Sequence, residues 1–184
     1  IKSFNLYFEK SPRHNFYCFD IHEKHLSGLR GLNFRCFKGD QGNKNHLNSF
    51  LWTFNSPEFD FIVDDGSHVT SDQVATLEVI FKNLKPGGVF FIEDLHCVIN
   101  ERDKFCDDNF MSMLEIIELY EATGKILDKG KDGLLNPMSS SLVKYLNENL
   151  DDCFITKCTA LTGEGHAAGA PERLIGVLKK RNKR

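Results

Sequence analysis

The stretch FDFIVDDGSHVT, residues Phe59 to Thr70, decides how this chain is read. Its apolar run, Phe61-Ile62-Val63, ends at two adjacent acids, Asp64 and Asp65, followed by Gly66, Ser67 and His68. A short apolar run bounded by turn residues predicts a buried strand. A helix is expected next over residues 72–84, because Val74, Leu77, Phe81 and Leu84 recur at spacings of three and four. Lys85-Pro86-Gly87-Gly88 is expected to stop it. The following strand, residues 89–92, again ends in acids, Glu93 and Asp94. A strand, a helix and a second strand in this order read as part of a parallel α/β sheet.

The pattern extends outward from this unit. Before it come an expected helix over 1–10, a strand over 15–21 carrying Asp20, a short helix over 22–29, a strand over 33–37 and a helix over 46–54. After it come a helix over 110–122, a loop over 125–137 and a helix over 141–150. Two strands, 153–161 and 173–180, then flank a Gly/Ala-rich loop over 162–172. Strands alternating with helices predict a mostly parallel sheet covered on both faces. The last two strands have no helix between them, so they predict an antiparallel C-terminal hairpin at one edge.

Composition sets the bounds. At 184 residues the chain suits a single domain with one substantial core. A net charge of −3 argues against nucleic acid as a partner, which selects for a basic footprint. No apolar run approaches the roughly 20 residues that span a bilayer, so no membrane segment is expected. The six cysteines form no C-x-x-C pair, and several lie within apolar runs. They read as free thiols in a reducing, cytoplasmic setting, with no disulfide framework. The basic C-terminal tail, residues 179–184, reads as a solvated end.

In open α/β sheets, ligands bind outside the carboxyl ends of the strands. Here four successive strands end in or near acids: Asp20, Asp40, Asp64-Asp65 and Glu93-Asp94. Such acids also cap helices and occupy turns, and any one of them alone admits that reading. Gathered at one edge, however, carboxylates repel one another unless a cation or donor intervenes. Neighbouring strands lie about 4.8 Å apart. Asp65 with Glu93 and Asp94 can therefore converge on one hard cation, and Mg²⁺ takes oxygen ligands of this kind. An acid in the position of Asp20 accepts hydrogen bonds from ribose hydroxyls in nucleotide-binding sheets. Asp40 is placed to meet an adenine amino group, with a plain turn acid as the alternative.

Taken together, CFDIHEK, KGDQGN, FDFIVDDGSH, LKPGGVFFIEDLH and the closing strand pair resemble the class I S-adenosylmethionine (SAM)-dependent methyltransferases. More narrowly they resemble the metal-dependent sugar O-methyltransferases of macrolide biosynthesis, of the mycinamicin and demethylmacrocin type. The resemblance runs from Asn15 to His96. It implies a Rossmann-like fold, SAM and Mg²⁺ as cofactors, and a small-molecule hydroxyl as acceptor, with a homo-oligomer possible. By position it implies Asp20 at the cofactor ribose, Asp40 and Gln41 near the adenine, and Asp64 supporting the cofactor or the turn. Asp65, Glu93 and Asp94 hold the metal in this reading, and His68 is the general base. His68 also admits a structural role at the start of the following helix, and His96 is either a neighbouring site residue or a loop histidine.

Two features depart from that family. No first strand and no glycine-rich turn precede the helix expected over 1–10, so the single domain over 1–184 reads as N-terminally incomplete. The region 100–137 carries no acceptor-binding pattern of the family. The rival expectation is a non-catalytic methyltransferase-like structural or interaction protein. No G-x-G-x-x-G fingerprint supports a dehydrogenase.

Overall fold

The computed structural model describes residues 15–29, 34–130, 132–158 and 173–182. The helix expected over 1–10 and the loop expected over 162–172 lie outside these residues. The strands are β1 (Phe16–Asp20), β2 (Phe34–Lys38), β3 (Phe59–Asp64), β4 (Leu84–Ile92), β5 (Leu150–Cys158) and β6 (Arg173–Lys180). The helices are α1 (Glu23–Ser27), α2 (Lys44–Thr53), α3 (Thr70–Ile80), α4 (Cys97–Asn100), α5 (Arg102–Phe105), α6 (Met113–Thr123) and α7 (Ser140–Asn149).

β1 and β2 pair in parallel, and β3-β4-β6-β5 form a four-stranded sheet. Within it β3 and β4 are parallel, while β6 runs antiparallel to both β4 and β5. The closing antiparallel pair is therefore present, with β6 inside the sheet and β5 at its edge. The two sheets are joined by aromatic packing. Tyr17 of β1 meets Phe59 of β3 edge-on at 5.4 Å, and Phe50 of α2 packs on both rings.

The core follows from the apolar spacing. Leu47, Phe50 and Leu51 bury one side of α2 against Ala75 and Ile80 of α3. On the other side of the four-stranded sheet, α6 and α7 bury Ile116, Ile117, Leu142 and Leu146 with Phe90 and Ile92 of β4. Phe81 and Phe90 are fully buried, and each contributes roughly 1.5–3 kcal/mol by leaving water.

Several expectations change at their boundaries. The helix expected over 72–84 ends at Ile80, a single 3₁₀ turn follows, and β4 begins at Leu84. Pro86-Gly87-Gly88 therefore lies inside a strand. It forms a bulge, since Phe59 pairs with Leu84 but Phe61 pairs with Val89. Glycine is required there: Gly87 has φ +77°, and a Cβ on Gly88 would stand 3.0 Å from the Asp60 carbonyl oxygen. The apolar run of β3 is not covered on both faces, because Phe61 and Val63 are 68% and 55% exposed.

The helix expected over 110–122 starts at Met113, where Ser112 and Glu115 form a reciprocal capping box. It ends at Gly124, in the left-handed conformation. Phe110, expected inside that helix, instead bridges Leu135 of the segment expected as loop. α4 and α5, four residues each, are too short to show a helical period. Among the described residues no helix is long and apolar enough to cross a membrane.

Candidate active site

The four acidic strand ends share one side of the molecule. Gln41, just past β2, donates from Nε2 to Oδ1 of Asp64, the last residue of β3, at 2.7 Å. Since β1 parallels β2 and β3 parallels β4, the carboxyl ends of all four strands meet along one edge. This is the edge where open α/β sheets bind ligands.

Ligand atoms of Asp65, His68 and Asp94 lie within 4.8 Å of one another. The backbone brings them together under strain. His68 and Asp94 both hold left-handed backbones, at φ +60° and +54°. For side-chain-bearing residues this conformation costs about 1–3 kcal/mol, and it clusters at functional sites. His68 Nε2 lies 3.9 Å from Asp94 Oδ2. On the other side of the same carboxylate, His96 Nδ1 lies 3.8 Å from Asp94 Oδ1. Glu93 precedes Asp94 directly, and consecutive side chains leave the strand end in different directions. Its carboxylate is not among the three that converge, and its backbone N–H ties β4 to the carbonyl of Asp64.

Buried polar atoms concentrate here. Asp64 Oδ2, His68 Nδ1 and His96 Nδ1 are buried with no hydrogen-bond partner among the described residues. Buried polar atoms are nearly always paired, so a group of unpaired ones marks a place where something else binds. Asp65 and Asp94 bring together carboxylate oxygens of the kind a divalent cation takes, with the His68 imidazole beside them. Burial pushes the Asp64 carboxyl up to about 6, against the opposing hydrogen bonds from Gln41 and the Gly66 backbone.

The turn is braced from outside the site. Gln41 Oε1 accepts from Ser67 N at 3.1 Å, and its Nε2 also donates to Thr76 Oγ1 at 3.0 Å. Ser67 Oγ donates to Asp72 Oδ2 at 2.7 Å in the first turn of α3. Sequence reading missed these partners, since they lie five to 35 positions apart and follow no local spacing.

The residues assigned to the cofactor occupy the neighbouring strand ends. Asp20, at the end of β1, accepts from the His22 backbone N–H at 2.7 Å and pairs with His25 Nδ1 at 2.9 Å. Burial raises its carboxyl, but those two partners prevail and hold it below the usual range. Asp40 accepts from Gly42 N at 2.9 Å, and its own N–H donates to His46 Nδ1. Both acids therefore serve their local turns while standing at the strand ends.

This arrangement is a Rossmann-like α/β domain with acidic side chains gathered at its strand ends. A solved structure of the MycE methyltransferase of the mycinamicin pathway, in complex with Mg, SAH (S-adenosylhomocysteine) and mycinamycin VI, matches it with a TM-score of 0.63. That match covers 98% of this chain and 40% of the other, at 20% identity, and it establishes the shared fold. In sequence, short segments of the chain resemble two O-methyltransferases. It is 33% identical over 85 residues to mycinamicin VI 2''-O-methyltransferase of Micromonospora griseorubida. It is also 33% identical over 57 residues to demethylmacrocin O-methyltransferase of Streptomyces fradiae. The matched segments are 46% and 31% of this chain but 20% and 14% of those enzymes, so the likeness spans a minor part of their length. No protein-family model matches the chain.

Proposed function

We propose that this chain carries the catalytic domain of a SAM- and Mg²⁺-dependent O-methyltransferase acting on a hydroxyl of a sugar or related small molecule. The observation that carries this reading is the convergence of Asp65, His68 and Asp94 at the carboxyl ends of parallel strands. Asp65 and Asp94 would supply the oxygen ligands for the metal, and Glu93, next to Asp94 in the chain, stands outside the three residues that converge. When bound, the metal lowers the cost of ionising a weakly acidic hydroxyl. Mg²⁺ prefers oxygen ligands, which leaves the imidazole of His68 free for the proton. His68 Nε2 lies 3.9 Å from Asp94 Oδ2, which holds the base beside the metal ligands. General-base action of this kind is worth about 10²–10⁴-fold in rate.

Asp20 orients the ribose of the methyl donor, with Asp40 placed beside the adenine. Asp64, behind them, supports the turn. The sulfonium supplies a reactive methyl group, so the protein's task is mainly to align donor and acceptor. The relatives' names and the MycE complex with Mg and SAH support the same assignment.

The test is transfer of a radiolabelled methyl group from SAM to glycoside acceptors by the full-length protein. His68→Ala and Asp65→Ala should each abolish transfer while leaving the fold intact by circular dichroism. Transfer retained in both variants refutes the site assignment. A wild-type protein that binds neither SAM nor Mg²⁺ in calorimetry refutes the enzyme reading altogether.

A further inference from the structure

Gln41 lies just past β2 at the strand-end edge, and its amide is fully engaged there. Both Nε2 hydrogens are taken, one by Asp64 Oδ1 at 2.7 Å and one by Thr76 Oγ1 at 3.0 Å. Its Oε1 accepts the Ser67 N–H at 3.1 Å. Thr76 is itself fixed, donating to the Asp72 carbonyl at 3.1 Å one turn back in α3. Gly66 completes the fit: a Cβ there would stand 2.0 Å from Gln41 Oε1 and 2.8 Å from its Cδ. The glycine thus admits the amide into the turn. Two of the three bonds hold the turn itself, at Asp64 before Asp65 and at Ser67 before His68, and the third anchors the amide to Thr76 of α3.

We propose that Gln41 is a positioning residue that fixes the Asp65–His68 turn for metal binding, rather than a contact to the adenine of the methyl donor. This inference rests on the metal site of the function proposed above. A neutral amide suits the place. It donates to the Asp64 carboxylate and accepts from a backbone N–H at once, which neither a carboxylate nor an ammonium does. The left-handed backbone of His68 costs energy and persists only where its surroundings over-determine it. Gln41 supplies part of that determination from a different loop.

The experiment uses the full chain and two ligands separately. Mn²⁺ alone, read by electron paramagnetic resonance of the free ion, reports the metal site. S-adenosylhomocysteine, read by calorimetry, reports the cofactor site. Gln41→Met keeps the length and removes the amide; Gly66→Ala expels the amide from the other side. Each should weaken Mn²⁺ binding by about tenfold or more, the size of effect that losing a support of a metal site has. Affinity for S-adenosylhomocysteine should be unchanged, and the double variant should bind Mn²⁺ no worse than the weaker single one. Thr76→Val, which removes one of the three bonds, should lose stability without moving Mn²⁺ affinity.

Unchanged Mn²⁺ affinity in Gln41→Met and Gly66→Ala overturns the proposal. Weakened S-adenosylhomocysteine binding with intact Mn²⁺ binding overturns it in favour of an adenine contact. An equal loss of Mn²⁺ affinity in Thr76→Val makes the effect general loosening and also overturns it. Should Gln41→Met fail to fold, Gly66→Ala decides. Failure of the wild-type chain to bind Mn²⁺ is a separate outcome, which removes the metal site and this inference with it.

Discussion

Glu115 gives the sharpest prediction about what holds the post-β4 region in place. Its Oε2 accepts from both the backbone N–H and the hydroxyl of Ser112, at 2.7 and 2.8 Å. Arg102 Nη1 contacts both of its oxygens at 2.9 and 3.0 Å, and Arg102 Nη2 donates to the Phe110 carbonyl at 2.8 Å. Ser112 is fully buried, so Glu115→Ala strands its N–H without an acceptor. That loss costs about 1–3 kcal/mol. The Arg102 pair, about one-third exposed on each side, adds about 0.2–1 kcal/mol after solvent screening. The expected total is about 1–4 kcal/mol. Glu115→Gln keeps an oxygen for Ser112 and should cost only about 1 kcal/mol, the charge-dependent part.

The sign of the pH dependence is fixed by the same contacts. Burial works against ionisation, but Ser112 and Arg102 outweigh it and hold the Glu115 carboxyl below its usual 4.5. A carboxyl depressed in the folded state adds stability above its unfolded value, and that stability is lost as pH falls through the folded value. The gap between wild type and Glu115→Ala should therefore be flat near neutrality and close on acidification below 4.5. Urea unfolding of both proteins across this range measures it. A cost under about 0.5 kcal/mol for Glu115→Ala at neutral pH, the level of an ordinary surface change, would refute the reasoning.

Other outcomes follow from the same physics. In metal-free protein, the Asp64 carboxyl raised from 3.8 to about 6 makes the folded state bind a proton more tightly than the unfolded chain. Stability should therefore fall as pH rises through that window, by about 3 kcal/mol at 1.36 kcal/mol per unit. Asp64→Asn, which keeps an acceptor for Gln41, should abolish the slope and raise the unfolding midpoint at pH 8 in chelator; an unchanged slope would locate the titration elsewhere. Gly88→Ala forces a Cβ against the Asp60 carbonyl and the Leu84 side chain. It should cost about 1–3 kcal/mol in denaturant unfolding, as overpacking does, and a neutral result would show that the bulge can open.

Local pattern carried much of the fold. The spacing of Leu47, Phe50 and Leu51 in α2 and of Val74 and Leu77 in α3 is a short-range property, visible in any window of a dozen residues. The acids at the ends of β1, β3 and β4 were legible for the same reason, because a carboxylate breaking an apolar run stands out. Pro86-Gly87-Gly88 misled because the same residues that end helices also build bulges, and only the pairing partner decides between them. Phe110 misled because its spacing suited α6, while the Ser112–Glu115 capping box fixed the start of that helix beyond it.

The sequence by itself determined the alternation of strands and helices, the antiparallel close and the acidic strand ends, all of which depend on neighbours within a few residues. The tertiary structure alone decided which acids meet. Asp65 and Asp94 are 29 positions apart by their numbers, and they converge because β3 and β4 pair in register and Asp94 turns left-handed at the strand end. It also decided that the Gln41 amide reaches the turn holding Asp65 and His68, through contacts across separate loops and a glycine whose missing side chain leaves room for it.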